Sequence, residues 1–565
     1  MCGCNFSAAS QVQPERKSSK RTEPMTLLRF LLLTLLLLAA DNHFLQAQAV
    51  VEQDTEDKKA GIIPIRMANA RQMFLDRNVR GALNEYRVVL EAVPDHAAAT
   101  FRIGECHYAL KNYDLAKKYL QTALELDADV HKEIHYWLGM THHRLAELDE
   151  AIEHFRTFRA TTGRANNYYY DVDTYIEQCQ FAKMMMQQPR NVKISNMGRQ
   201  INSRFDDYTP SITADGSRLF FTSRRPDVKG GGIDRRGDYK YFENIFFAEL
   251  DRKTGEWTAA QQVPGKLNTT SYDAVLSVAP DGKSMFVYKN DASSAGNIHF
   301  SRLDEETGEW SEAQKLGRPI NTSYFESSVS VTADGKYLYF ISERPGGEGQ
   351  GDIYVAESRG DNRWGKPRNL GPLVNTPGDE KFVFVHPNGK HLFFASNGHQ
   401  TMGSYDIFRC ELVDGEPKRP INLGYPINTV NEESTFSLTA DNQTMYIAAE
   451  YEGSLGERDI FKVDLSEFNI LQEEVVSQVY LQGTVTNADN DRPMRDAAVM
   501  LFDSKGRSLF DTRTDRRGEF EFKVLRGEVY EVRVEVDGFR PLTEKVDLDN
   551  IDQSRLVVRR TFGLR

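Results

Sequence analysis

The chain has 565 residues, 40% of them hydrophobic, 11% aromatic and 27% charged, with 70 Lys and Arg against 82 Asp and Glu and a formal net charge of -12. That length exceeds what one hydrophobic core supports, and fractions this ordinary exclude wholesale disorder, a collagen-like fibre, a disulfide mini-scaffold and a multispan membrane protein. The acidic balance argues against nucleic acid as a partner, because such partners are held through phosphate contacts.

The stretch Leu27 to Ala40 reads LLRFLLLTLLLLAA, an apolar run too short to span a bilayer and preceded by Arg16, Lys17, Lys20 and Arg21. It reads as a secretory signal occupying residues 1–49, with Ala47-Gln48-Ala49 as the small-x-small site and cleavage between Ala49 and Val50. Met25 is an alternative start, which would make residues 1–24 a gene-start artefact. No cysteine stands between Ala40 and Val50 to accept a lipid. The expected location is therefore the periplasm. Beyond the signal only Cys106, Cys179 and Cys410 remain, an odd and scattered set that reads as buried free thiols.

Residues 61–187 carry a helical repeat. Aligning Ala70, Gly104 and Gly139 also aligns Ala82, Ala116 and Ala151, and then Tyr86, Leu120 and Phe155. Small residues let paired helices approach closely, and the large apolar residue four positions later fills the space between neighbouring repeats. Asp171 to Gln187 continues with Tyr175, Ile176, Cys179, Ala182 and Met186 at helical spacing, as a capping helix. The pattern resembles the tetratricopeptide repeat. That resemblance implies a concave groove binding peptides or partner proteins, lined here by Arg71, Phe101, Glu105, Tyr108, Tyr136, Met140, His143 and Arg144. His131, Glu133 and His135 in HKEIH do not match the H-E-x-x-H spacing of a zinc protease and read as a surface turn.

Residues 191–468 carry a longer β repeat. Five hairpins recur at 208–223, 272–288, 325–342, 379–396 and 432–448, turning on Asp-Gly, Asn-Gly or Asp-Asn, and a third strand follows each. A fourth element ends in an apolar-Asn pair at Leu267-Asn268, Ile320-Asn321, Val374-Asn375 and Ile427-Asn428. The last unit lacks it, and Ile201-Asn202 at the front supplies it. Four strands per unit predict a five-bladed β-propeller closed by strands from both ends. The hairpins resemble the TolB-type, WD40-like repeat. Asp352, Asp406 and Asp459 recur just before the third strand, as turn or cap residues. The first unit carries a long, Gly-rich and locally basic insertion with Lys229, Arg235, Arg236 and Lys240, a candidate contact site.

Residues 478–550 show short alternating strands, expected as a β-sandwich, followed by a tail at 551–565. Gly483, Pro493, Ala498, Val499, Thr514, Asp515, Gly518, Phe520, Gly527, Tyr530 and Gly538 resemble the carboxypeptidase regulatory-like, transthyretin-like domain, an accessory module. The order of modules resembles the PorE-like and OmpA-family periplasmic proteins of type IX secretion. Those relatives continue into an OmpA-like peptidoglycan-binding domain that the last 15 residues cannot hold, so peptidoglycan contact does not carry over. The fold class expected is multidomain: an all-α tetratricopeptide array, a five-bladed propeller and a small sandwich. No G-x-S-x-G elbow, catalytic constellation, metal motif or cofactor motif is found. The function expected is a non-enzymatic, outer-membrane-associated scaffold binding envelope or secretion proteins. The alternative is a glycan- or peptide-binding receptor using the propeller channel.

Overall fold

The computed structural model describes residues 61–162, 170–226, 232–235, 238–289, 296–472, 478–525, 527–549 and 557–565. The chain opens with paired antiparallel helices: α1 (61–75), α2 (Val79–Ala92), α3 (Ala97–Ala109), α4 (Tyr113–Leu126), α5 (Ile134–Arg144) and α6 (Leu148–Thr161). Asn78 Oδ1 accepts the amide of Gly81, and His96 Nδ1 that of Ala99, capping α2 and α3. Gly104 and Gly139 set the helix spacing. A Cβ on either would come within 2.7 Å of Leu120 or Phe155, respectively. Each pair turns through a residue with positive φ, at Arg77, Lys111 and Ala146.

Five antiparallel sheets follow, each built from a hairpin and a third strand. Their innermost strands are Asp207–Ile212, Asp273–Val278, Glu326–Val331, Glu380–Val385 and Thr435–Leu438. Inner strands of all five line one small central cavity, so the sheets form a ring. Serine hydroxyls stitch neighbours together. Ser211 Oγ accepts the amide of Val278, Ser330 Oγ that of Val385, and Ser437 Oγ that of Ile212. The outer strand of the fifth sheet is Lys193–Asn196, which precedes the first sheet in sequence and pairs with Asp459–Asp464. This closure covers an edge that would otherwise stay open.

The sandwich has a four-stranded sheet, Ser508–Arg513, Ala498–Phe502, Val529–Glu535 and Leu542–Asp547, facing a three-stranded sheet. The second sheet corrects the sequence reading. Val557–Leu564, expected within a tail, is a strand pairing in parallel with Gln478–Asn487 and burying Val558, Phe562 and Leu564. The pattern was hard to see because three exposed residues, Arg559, Arg560 and Thr561, interrupt its apolar positions.

The helix α7 (Val172–Met186) joins these parts. The sequence suggests one apolar stripe, whereas the helix buries Val172, Ile176, Gln178, Cys179, Gln180, Phe181, Ala182, Met184 and Met185, more than one face. One continuous apolar cluster runs from α6 through α7 to Met402 and Val430 of the ring and to the sandwich core. Gln178 donates to Thr401 Oγ1 at 2.9 Å and Gln180 to Asp511 Oδ1 at 2.7 Å, so the polar residues of α7 are also spent on neighbours. Cys106, Cys179 and Cys410 are buried free thiols.

Three substitutions test this packing. Ala146→Gly should stabilise the protein by about 1 kcal/mol by relieving its left-handed backbone. Gly139→Ala should destabilise it by about 1–3 kcal/mol through overpacking against Phe155. Phe181→Ala should cost about 3–5 kcal/mol and broaden or split the calorimetric transition as the parts lose their common core. A sharp, unshifted transition in Phe181→Ala would contradict the joining role of α7.

Candidate partner-binding site

The eight groove positions separate into three groups. At the open end, Arg71 Nη1 lies 3.8 Å from Glu105 Oε2, and Arg102, which the repeat pattern did not single out, donates to the same oxygen at 2.5 Å. The Arg71 side chain is 41% exposed and that of Glu105 only 3%. Burial pushes the Glu105 carboxyl above its ordinary range, with both guanidiniums opposing. The second group packs against neighbouring helices. Phe101 is 1% exposed and stacks on His131 at 4.4 Å, Met140 is buried, and Tyr136 packs among Phe155, Phe158 and Tyr175. Phe101 and Met140 are thus buried between helices, while Tyr136 stays partly buried.

The third group is already engaged. His143 is fully buried and donates from Nε2 to the carbonyl of Met402 at 2.8 Å. Arg144 donates to the carbonyl of Val430 and to Ser404 Oγ. Tyr108 lies beside Arg144 and meets Trp137 and Tyr113 edge-on. Two ring loops, one around 401–405 and one around 429–431, thus sit on the third repeat's inner side, and Lys111 adds an ion pair to Glu450. The repeat pattern carries no trace of this seat, because two of the groups gripped are the backbone carbonyls of Met402 and Val430 and the others lie far away in sequence.

The inserted loop is anchored by charge. Lys240 pairs with Asp206 at 2.7 Å and with Glu457, and Arg224 grips Asp238 through both terminal nitrogens. Burial opposes it, yet Arg458 and Lys240 hold the Asp206 carboxyl well below the usual range. Tyr208 and Tyr272 donate to Glu243 and Asp234. Lys240 is therefore committed internally, while Arg235 is exposed. Lys229 and Arg236 lie outside the described residues, as does the cleavage pair Ala49 and Val50.

The ring repeats one polar device five times. Asn202, Asn268, Asn321, Asn375 and Asn428 each accept the amide of the isoleucine at the second position of a third strand, at 2.8 or 2.9 Å. The next residue, Ser or Thr, donates its amide to a carboxylate four positions on: Asp207, Asp273, Glu326, Glu380 or Glu433, all buried. A side chain at or just beyond the end of the second strand then clasps the carbonyl before the asparagine. The clasps are Arg225 on Ile201, Lys289 on Leu267, Arg344 on Ile320, His399 on Val374 and Tyr451 on Ile427. The three cationic clasps also pair with their carboxylates, at 2.8, 2.6 and 3.5 Å. His399 and Tyr451 form no such pair. Burial pushes Glu380 up to about 7 and Glu433 up to about 8. Asp352, Asp406 and Asp459 accept loop amides, a capping role.

The central cavity measures about 30 Å³, lined by residues such as Ser211, Leu276, Val383 and Phe436. That is well below the roughly 300 Å³ and more of a typical ligand pocket, so this cavity by itself does not supply the volume that the glycan or peptide alternative calls for. His131 stacks on Phe101, and His135 Nδ1 lies 2.9 Å from His154 Nδ1. Among the described residues no group of three or more His, Cys, Asp or Glu is arranged to hold a metal.

Residues 74–135 and 112–165 match tetratricopeptide repeat models, and residues 480–561 match the carboxypeptidase regulatory-like domain. No curated protein sequence is significantly similar to this chain. Among solved structures, the first tetratricopeptide domain of Spaghetti bound to the HSP90 peptide SRMEEVD is 15% identical, covering 21% of this chain and 92% of its own, with a TM-score of 0.20. TolB from Acinetobacter baumannii is 17% identical over 56% of this chain and 65% of its own, with a TM-score of 0.27. A putative 6-phosphogluconolactonase from Bacteroides uniformis is 14% identical over 60% and 85%, with a TM-score of 0.27.

Arg144→Ala should remove the two grips on the ring and leave Val430 and Ser404 short of a donor. Backbone hydrogen exchange in residues 401–405 and 429–431 should rise at least tenfold. Unchanged exchange there would show that Arg144 does not fasten the array.

Proposed function

We propose that this chain is a non-catalytic scaffold of the cell envelope. It is exported to the periplasm, lies against the outer membrane, and holds partner proteins within an envelope or type IX secretion assembly, as its PorE-like order of modules suggests. In this reading the five sheets are the blades of a single TolB-type propeller, and the tetratricopeptide array and the regulatory-like sandwich meet each other and the ring around α7.

The observation that carries the reading is the common core around α7, which fixes two modules of binding type against the ring. Modules linked flexibly would present independent surfaces, whereas modules sharing one core present theirs at fixed spacing, as a scaffold requires. The third repeat is occupied by the ring. The inner side of the first two repeats, with Arg71 half-exposed beside Arg102 and Glu105, is then where a partner segment engages.

Cross-linking in cells at native expression, followed by purification of the tagged chain, tests this directly. Envelope proteins should co-purify, and Arg71→Gln should reduce their recovery several-fold with little change in thermal stability, Arg102 still pairing with Glu105. Recovery of the chain from the cytoplasm, or absence of every envelope protein from the cross-linked material, would refute the reading.

A further inference from the structure

The helical array repeats one contact along its length and leaves the first instance open. With Ala70, Gly104 and Gly139 in register, Ile65 and Asn69 of α1 correspond to Ala99 and Ile103 of α3 and to Ile134 and Leu138 of α5. On α3 and α5 these positions are buried. Ile103 shares an apolar cluster with Ala82, Leu83 and Tyr86 of α2, while Ile134 and Leu138 share another with Leu120 and Ala123 of α4, against which Leu124 packs. The second helix of the preceding repeat therefore covers each of them.

Among the described residues no helix precedes α1, and Ile62 and Ile65 are 51% and 62% exposed. Ile62, Ile65, Asn69 and Met73 follow one another at helical spacing and, with Arg66 and Glu85, line a hollow of about 350 Å³. Asn69 and the Arg66–Glu85 ion pair supply its polar groups. The inner side of the array is elsewhere, since Arg71 lies about half a turn away around α1 and reaches Glu105 of α3.

We propose that this hollow seats an amphipathic helix of a partner protein, acidic on its polar face, which extends the array by lying on α1 as α4 lies on α5. Its apolar stripe is of the kind that α4 presents, with large and small apolar residues at i, i+3 and i+4, as in Leu120, Ala123 and Leu124. Charge selects the polar face. Residues 61–92 hold five arginines against three acidic residues, a positive end on a chain of net charge -12. Carboxylates on the incoming helix are drawn to this end, and a basic helix is repelled.

Two other occupants fit less well. A second copy seated end to end would set one arginine-rich repeat against another. Residues 50–60, VVEQDTEDKKA, carry apolar side chains only at Val50, Val51 and Ala60 and so lack the stripe.

The probe is a fluorescent peptide of residues 113–126, held helical by a lactam between Lys118 and Thr122→Glu and made acidic by Lys117→Glu and Gln121→Glu. Fluorescence anisotropy should show saturable binding to the full chain, tighter at low salt than that of a bridged peptide keeping Lys117 and Gln121. Ile65→Glu should weaken binding roughly tenfold or more, the order that one buried isoleucine contributes. Its melting temperature should not change, because Ile65 is exposed. Arg71→Gln, on the inner side, should bind the peptide as the native chain does. No saturation by about 1 mM peptide, equal binding by Ile65→Glu, or no preference for the acidic peptide would overturn the proposal. So would a native dimer in light scattering that Ile65→Glu dissociates, which would make the occupant a second copy. A roughly tenfold gain in affinity on deleting residues 50–60 would likewise overturn it, by making the occupant a segment of this chain.

Discussion

Everything in this molecule depends on one helix being unable to face water. α7 carries apolar side chains around most of its circumference, and a helix of that kind has to be enclosed. The sixth helix encloses one side, ring loops another and the sandwich a third. Its two buried glutamines complete the enclosure by donating outward, one to the ring and one to the sandwich. Arg156 and Arg159 of α6 add charge pairs to Asp511 of the sandwich at the same junction.

The ring solves a different problem, that of ending fifteen or more strands without stranding their polar backbone. Its answer is local and repeated. An asparagine side chain imitates a strand by accepting and donating at one isoleucine, as Asn268 does at Ile245. A buried carboxylate then fixes the following loop. Charged hydrogen bonds of this kind are strong only if the charge is compensated. That condition separates the first three sheets, with their Arg and Lys clasps, from the last two, where a neutral clasp suits a surface that another domain covers.

Much of this was legible in the sequence because repeats amplify weak signals. The alignment of Ala70, Gly104 and Gly139 located three helix pairs, and the close approach to Leu120 and Phe155 is the physical reason for the two glycines. The Asn-bearing pairs marked the ends of sheets, and Ile201-Asn202 marked the closing strand. What the sequence did not display depends on contacts between units that do not repeat. His143 and Arg144 were selected as groove residues by periodicity, but their partners are carbonyls of Met402 and Val430, which any residues would supply. The parallel strand at Val557–Leu564 was missed for a related reason: its partner lies 77 residues earlier, as in Tyr480 against Val557, and its alternation is broken by exposed polar residues. Lys240 looked available in a basic stretch because Asp206 and Glu457 are remote from it in sequence.

The closing strand also dictates an order of assembly. Lys193–Asn196 pairs only with Asp459–Asp464, about 270 residues further along. On a ribosome the early strand emerges directly behind α7 and waits, unpaired, until the last sheet has been made. Its neighbour α7 waits as well, since the sandwich that encloses it is made later still. The two segments most in need of cover are thus adjacent in sequence and produced long before their partners, so newly made chain passes through a stage in which a bare strand edge and an apolar helix are exposed side by side.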